Sequence, residues 1–199
     1  MGRRPPLSIP RHDPVLRNAS GRLLTAVGNS RPTIRPTVPD DLAAIGEIYA
    51  HHVRTGVATF ELEPPDAREW ERRFGTVLDS SLPFVSAEIN GAVAGYAYCV
   101  PWKSRPAYRH TVEDSIYLAP EAVGHGIGGR LLDALLVGCS EVGIRQVIAV
   151  IADDDADASI ALHRNRGFVD AGRLSAVGFK HGRWLDTLLL QRSLNAVGR

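Results

Sequence analysis

A short glycine-rich segment has the residue types and spacing in this sequence that most clearly suggest chemistry. Glycines let a backbone turn tightly with its N–H groups exposed. An apolar helical pattern begins at the same place, so the free N–H groups and the positive dipole end of that helix would face the turn. Such a turn binds a phosphate or pyrophosphate without a lysine. The segment consists of Gly124, His125, Gly126, Ile127, Gly128 and Gly129.

Two other nucleotide-binding motifs have to be weighed against this turn. A P-loop ends in Gly-Lys-Ser/Thr, but Arg130 and Leu131 follow Gly129 here, so that motif is excluded. A Rossmann fingerprint, Gly-x-Gly-x-x-Gly, matches literally, and Asp153 follows a predicted strand roughly 20 residues later. Residues 119–123 separate the turn from the strand before it, which argues against a Rossmann fold. The possibility that the segment is only a glycine-rich helix start, without a ligand, stays open.

The elements around the turn predict a mixed sheet flanked by helices, in the α/β (α+β) class. Asn90-Gly91 is a strong hairpin turn between two of the strands. Asp40 or Asp41 is expected to cap the first helix, which starts at about residue 39. The predicted strands cover 33–36, 84–88, 91–100, 112–118, 146–151, 168–174, 176–180 and 184–194, and the other helices cover 64–78, 126–138 and 158–166.

Length and composition suit one globular domain, predicted at residues 33–194. Residues 1–32 are rich in proline and predict a poorly ordered extension, and 195–199 form a tail. The net charge of +1 gives no reason to expect nucleic acid or a membrane as partner. Cys99 and Cys139 predict buried reduced thiols, and no metal site is expected. Without a secretory signal or an apolar run of ~20 residues, a cytoplasmic protein is expected.

Several segments resemble the GCN5-related N-acetyltransferase (GNAT) superfamily. Residues 112–118 with the glycine turn look like its motif A, and residues 146–151 with 159–168 look like its motif B. More narrowly, the sequence resembles the phosphinothricin and methionine sulfone acetyltransferase branch. The segments that carry this likeness are residues 48–51, 58–61, 101–105, 108–113 and 178–186.

The resemblance implies a GNAT fold whose central sheet splays open to hold acetyl-CoA. Ile116, Tyr117 and Leu118 would lie along the pantetheine arm, and the turn at 124–129 would hold the pyrophosphate. A homodimer is also expected. The branch usually has an asparagine contacting the cofactor before the motif B helix. Asp155 or Ala156 falls at that position here, so the sequence assigns no residue to it.

A protonated amine must lose a proton before it can attack a thioester, so the reaction needs a general base. Glu113, inside the strand before the turn, is the predicted base, and the resemblance places the base of the family there. A backbone N–H near Leu118 would stabilise the oxyanion. The position of a motif B proton donor is taken by His163. This histidine would either protonate the leaving thiolate or be packed locally while the thiolate leaves unaided.

A cluster of cations and aromatic residues before Glu113 suits a small substrate with two anionic ends. The predicted function is acetyl transfer to the amino group of an amino-acid analogue such as phosphinothricin, methionine sulfoximine or methionine sulfone. The alternatives are a GNAT that acts on a peptide N-terminus or another small amine, and a coenzyme A-binding sensor without turnover. The candidate substrate contacts are Phe60, Glu61, Lys103, Arg105, Pro106, Ala107 and Tyr108.

Overall fold

The computed structural model describes residues 31–153 and 156–194. The predicted extension therefore lies outside the described residues, except for Arg31 and Pro32, and so does the tail at 195–199. Asp155, one of the two candidates for the motif B asparagine position, also lies outside them. The predicted domain boundaries stay predictions.

In the part of the chain that the structure describes, seven strands form one sheet in the order β1-β2-β3-β4-β5-β7-β6. Among the described residues β4 and β5 pair in parallel, while the other neighbouring strands pair antiparallel. The predicted mixed sheet is thereby confirmed. The strands are β1 Thr33–Pro36, β2 Phe84–Ile89, β3 Ala92–Pro101, β4 Thr111–Leu118, β5 Gln146–Ala152, β6 Val169–Lys180 and β7 Arg183–Ser193; the helices are α1 Leu42–Thr55, α2 Ala67–Asp79, α3 Ile127–Glu141 and α4 Asp157–Arg164.

The helices cover both faces of the sheet. On one face, Tyr49 of α1 packs edge-on against Tyr117 of β4, and Trp70 of α2 packs against Tyr96 of β3. The opposite face packs against α3, whose apolar side is buried as its spacing predicts. There Cys99 and Cys139 are buried free thiols with their Sγ atoms 3.4 Å apart, which confirms the sequence prediction.

Two local predictions need correction: Asp41 is the N-cap residue of α1 as expected but its side chain has another role, and two predicted strands are one. Asp41 does not cap α1 with its side chain. Its buried carboxylate instead accepts hydrogen bonds from Arg35, at 2.7 and 2.8 Å, and from the Val38 N–H at 3.0 Å. The strands predicted at 168–174 and 176–180 are one strand, β6, because a register shift between Leu174 and Gly178 absorbs the extra residues without ending the pairing.

The pairing between β4 and β5 stops halfway along β4. It runs from Thr111 opposite Gln146 to Asp114 opposite Ala149. Beyond that point β4 continues to Leu118 and stays paired with β3, while β5 stays paired with β7. The two central strands therefore diverge, and the splay that the resemblance implied is present.

Gly95 of β3 lies directly opposite Leu118, at the open end of the splay. A Cβ atom at Gly95 would lie 2.9 Å from the Tyr117 carbonyl oxygen, which is backbone and cannot move aside cheaply. We expect Gly95→Ala to lower the free energy of unfolding by about 1–3 kcal/mol, measured by urea denaturation.

Gly75→Ala is the matched control for Gly95→Ala. Gly75 lies within α2, and a Cβ atom there would meet no heavy atom within 4 Å. The same substitution should therefore raise the free energy of unfolding by about 0.5–1 kcal/mol, because alanine is the better helix former. Equal effects of the two substitutions would contradict the close approach of β3 to β4.

Candidate functional site

A cleft of about 890 Å³ opens where β4 and β5 diverge. Its floor is formed by the diverging strands, and its walls come from the turn before α3, from α4 and from the loop after α1. The cleft is therefore where the topology leaves strand edges unpaired. The lining residues include Phe60, Glu113, Asp114, Ser115, Ile116, Tyr117, Leu118, Gly124, Gly126, Ile127, Gly128, Gly129, Ala149, Val150, Ser159, Leu162 and His163.

The structure brings most of the predicted cofactor and catalytic residues to this cleft. The exception among the predicted cofactor residues is His125, which is exposed and does not line it. Of the predicted substrate contacts, only Phe60 lines the cleft. Six others do not line it: Glu61, Lys103, Arg105, Pro106, Ala107 and Tyr108.

The glycines of the turn serve different purposes. Gly124 and Gly126 have φ angles of 85° and 72°, in the left-handed region that glycine tolerates best. Gly126 precedes α3 and offers no side-chain cap, so the N–H groups of the first helical turn lack acceptors from the helix or a cap. These donors, together with the helix dipole, make the turn suitable for a phosphate.

Gly129 leaves room for the side chain of an arginine that follows α4. A Cβ atom there would overlap the guanidinium of Arg166, which follows α4. The Arg166 Nε donates to the Gly129 carbonyl at 3.0 Å and to Asp133 at 2.7 Å. The absence of a side chain at Gly129 thus lets Arg166 join the end of α4 to the start of α3.

Glu113 is half-buried on β4, at the point where the strands begin to diverge. Burial raises the pKa of its carboxyl above the ordinary value, and the neighbouring charge of Asp114 adds to this effect, while Lys103 opposes it. A carboxylate with a raised pKa is a more effective proton acceptor at neutral pH. Lys103 thus influences Glu113 through its charge, although it does not line the cleft.

His163 is buried on α4, and both of its ring nitrogens are engaged. Its Nδ1 lies 2.7 Å from the Ser159 carbonyl oxygen and its Nε2 lies 3.0 Å from Asp114 Oδ2. Burial lowers the pKa of His163, but the hydrogen bond and charge of Asp114 outweigh burial, so the net pKa is raised. The sequence interpretation missed Asp114, although a lone carboxylate between Val112 and Ile116 on an apolar strand face was a detectable signal.

His52 of α1 is a second residue that the sequence interpretation missed. Its Nε2 lies 2.8 Å from the Leu118 carbonyl oxygen, at the open end of β4. Burial lowers the pKa of this histidine, and the charge of His51 lowers it further, while the hydrogen bond to Leu118 opposes both. We infer that His52 is neutral and donates its Nε2 proton to Leu118. Nothing in the local sequence signals this contact, because 66 positions separate the two residues.

The loop that carries Phe60 is fastened to the β6–β7 hairpin. The Lys180 Nζ donates to the Thr59 carbonyl at 2.7 Å, and Thr59 Oγ1 lies 2.6 Å from the Tyr49 hydroxyl. The Phe60 ring fills the space that a side chain at Gly178 would need. This part of the cleft wall is therefore fixed by contacts with the sheet.

Glu61 does not line the cleft and forms an ion pair. Its carboxylate lies 2.8 Å from Arg73, which also pairs with Glu69 at 2.8 Å. The expected substrate cations, Lys103 and Arg105, are exposed on the loop that leads into β4. Lys103 is close enough to lower the pKa of Glu113, but neither cation lines the cleft.

Two features are absent from the residues that the structure describes. No helix within 31–153 and 156–194 is long and apolar enough to cross a membrane. Over the same residues, no group of three or more His, Cys, Asp or Glu side chains is arranged to hold a metal ion.

Comparison with known proteins points to acyl transfer. Residues 45–168 match the acetyltransferase (GNAT) family. The phosphinothricin N-acetyltransferase of Alcaligenes faecalis is 52% identical over 164 residues, which are 82% of this chain and 83% of that protein. The L-methionine sulfoximine/L-methionine sulfone acetyltransferase of Salmonella typhimurium is 36% identical over 82% of this chain and 95% of its own length.

A solved structure has the same fold. The phosphinothricin acetyltransferase of Sinorhizobium meliloti, crystallised in complex with acetyl-CoA, superimposes with a TM-score of 0.79 at 51% sequence identity. The match covers 82% of this chain and 89% of that one. The family and the fold that the sequence resemblance implied are thus both confirmed.

Proposed function

The chain belongs to the GNAT family of acetyltransferases, and from that premise we propose that it transfers the acetyl group of acetyl-CoA to the amino group of an amino acid of the phosphinothricin or methionine sulfoximine type. One observation carries the proposal. A half-buried carboxylate with a raised pKa, that of Glu113, lines a cleft whose other end is a glycine turn suited to phosphate.

Acetyl-CoA fits this cleft along its length. The part of β4 at residues 116–118 has no pairing with β5 among the described residues, so its backbone groups on that side can pair with the amides of the pantetheine arm. The unpaired N–H groups at the start of α3 can hold the pyrophosphate. The turn at 124–129 and the edge of β4 are therefore the proposed binding residues, and the thioester would lie towards Glu113.

Glu113 is the proposed general base. The substrate ammonium must give up a proton before its nitrogen attacks the thioester carbon, and the raised pKa of Glu113 suits it to accept that proton directly or through one water. The new C–N bond then forms, the C–S bond breaks, and its electron pair stays on the departing sulfur. A backbone N–H near Leu118 would stabilise the oxyanion.

The amino-acid substrate would occupy the Glu113 end of the cleft. Phe60 supplies an apolar wall there, and Lys103 acts electrostatically on Glu113. We propose that Lys103, Arg105 and the short turn Pro106–Tyr108 contact the anionic end of the substrate from the loop before β4. Glu61 would act indirectly, through its ion pair with Arg73.

The proposed function predicts release of free coenzyme A when acetyl-CoA is mixed with phosphinothricin, methionine sulfoximine or methionine sulfone, measured with a thiol reagent. Glu113→Gln removes the base and keeps the shape, so we expect kcat to fall by about 10²-fold or more with little change in acetyl-CoA affinity. Turnover of a peptide N-terminus alone would favour the other GNAT class, and binding of acetyl-CoA without any turnover would favour a sensor. Full activity of Glu113→Gln would reject Glu113 as the base.

Gly126→Ala tests the phosphate turn, with Gly143→Ala as its control. Both glycines have positive φ angles, 72° and 82°, and at neither would a Cβ atom meet a heavy atom within 4 Å. Both substitutions should therefore lower stability by a similar amount, about 1 kcal/mol. Only Gly126→Ala should weaken coenzyme A binding in calorimetry, because Gly143 lies beyond the far end of α3. Equal affinities in the two variants would exclude the turn as the phosphate site.

We also propose that two copies associate through the outer edge of the sheet. Strand β6 is the last strand in the order, and apolar side chains are exposed on it and on β7, namely Leu174, Val177, Phe179 and Trp184. Large exposed apolar groups in one area are typical of an interface. The rings of Phe179 and Trp184 lie 5.1 Å apart and would form the centre of the contact.

Light scattering should find twice the chain mass of 21.6 kDa for the wild-type protein. The double substitution Phe179→Ser and Trp184→Ser should give the monomer mass. Val137→Ser, which changes an equally exposed apolar residue on α3, should leave the dimer intact. A monomeric wild-type protein would contradict the proposal.

A further inference from the structure

His163 lies between two oxygen atoms, and their chemistry determines its protons. The Ser159 carbonyl oxygen, 2.7 Å from Nδ1, can only accept a hydrogen bond, so Nδ1 carries a proton. Asp114 Oδ2 lies 3.0 Å from Nε2. A neutral ring with its proton on Nδ1 would direct a lone pair at this carboxylate. A second proton must therefore lie between Nε2 and Asp114, as in an imidazolium–carboxylate pair.

The position of this pair is unusual. Asp114 is the last residue of β4 that pairs with β5, so its carboxylate lies at the apex of the splay. The side chains of His163 and Asp114 are only 5% and 2% exposed, yet both residues line the cleft. The second carboxylate oxygen, Oδ1, is buried without a hydrogen-bond partner among the described residues.

A buried ion pair contributes little to stability, because removing two charges from water offsets their attraction. Replacing such a pair by apolar residues of similar volume is often neutral for stability. The pair therefore indicates a role in the cleft.

We propose that Asp114 is a positioning residue that holds His163 as an imidazolium at the wall of the cleft, where the cation stabilises the negative charge that develops on the departing sulfur of coenzyme A. This inference rests on the proposed acetyl transfer. As the C–S bond breaks, its electron pair moves to sulfur, and the amine proton goes to Glu113. His163 keeps both of its protons throughout.

The hydrogen bonds of His163 explain why it acts through its charge. Its Nδ1 proton is committed to Ser159 and its Nε2 proton to Asp114, so neither points to a free position in the cleft. A fixed charge in a site with little water interacts strongly with a developing charge and needs no reorganisation during the reaction. The proton donation that the sequence resemblance suggested would require breaking one of these bonds.

The charged groups around the pair are few. Asp114 faces His163 from β4, and Arg166 is the nearby cation, which opposes protonation of the ring. Arg166 is itself paired with Asp133. Phe168 packs edge-on against the ring at 4.9 Å and carries no charge. Glu113, on the neighbouring position of β4, is affected by Asp114 and Lys103. Asp114 thus raises the pKa of His163 most strongly, and the hydrogen bond to the Ser159 carbonyl adds to this effect.

Asp114→Asn removes the carboxylate charge that keeps His163 protonated, and it can keep both hydrogen bonds of the histidine ring. The asparagine amide can donate to Nε2 of a neutral ring whose Nδ1 proton still bonds to Ser159. The variant should therefore fold and bind acetyl-CoA as the wild type does. We expect kcat to fall by at least about tenfold, while the KM for acetyl-CoA stays within about twofold. Asp170→Asn is the control and should leave kcat unchanged. It removes the exposed carboxylate that pairs with Arg164, the residue next to His163 on α4.

Nitrogen-15 NMR of the histidine rings tests the charge without substrate or turnover. In the wild-type protein His163 should be doubly protonated at neutral pH, with a pKa above its ordinary 6.5. In Asp114→Asn the pKa of His163 should fall below the wild-type value. In a plot of kcat against pH, the fall in kcat at alkaline pH should move to lower pH by the same amount as the pKa of His163.

The raised pKa of His163 also predicts how the free energy of unfolding depends on pH. Because the pKa of His163 is raised in the folded state, its contribution to stability is complete below pH ~6.5 and is lost as the pH rises through the folded pKa. Asp114→Asn should remove this loss at alkaline pH.

Two results would overturn the proposal. The first is a neutral His163 in the wild-type protein at neutral pH, which the wild-type spectrum alone decides even if the variant is unstable. The second is a folded Asp114→Asn variant with wild-type kcat. Failure of the proposed function would look different, since the wild-type protein would then release no coenzyme A with any amine while its His163 spectrum still reported the charge.

Discussion

The hydrogen bonds between β4 and β5 end at Asp114 and Ala149, and the rest of the site depends on this interruption. Backbone groups of a strand must find partners, and the inner side of β4 at residues 116–118 has none from β5. An extended ligand with amide groups can supply them. The same divergence separates α4 from the loop of Phe60 and so creates the cleft between them. A fully paired sheet would have neither the cleft nor the free strand edge.

The apex of the splay places two carboxylates on opposite faces of one strand. Neighbouring residues of a strand point to opposite faces, so Glu113 and Asp114 must have different surroundings. Glu113 lies on the face covered by α1 and α2 and has a raised pKa because of its burial. Asp114 contacts His163 on the other face and gives it a positive charge. The proposed proton acceptor and the proposed cation are thereby held next to the same point of the cleft by adjacent backbone positions.

Features that follow from local rules could be predicted from the sequence. The Asn90-Gly91 hairpin, the glycine turn and the apolar side of α3 each depend on residues close together in the chain, and the structure contains all three. Features that depend on distant contacts were missed. The pairing of Asp114 with His163 and of His52 with Leu118 joins residues 49 and 66 positions apart. The space that Gly129 leaves for Arg166 likewise depends on a residue 37 positions away, so the local sequence does not predict it.

Hydrogen exchange of the backbone amides tests most directly whether the interrupted pairing is the binding site. If acetyl-CoA pairs with the free edge of β4, the cleft-facing amides within residues 115–118 should exchange more slowly when it is added. Amides of the 124–129 turn should be protected at the same time, while those of β2, on the far side of β3, should not change. Unchanged exchange at 115–118 under saturating acetyl-CoA would contradict the account.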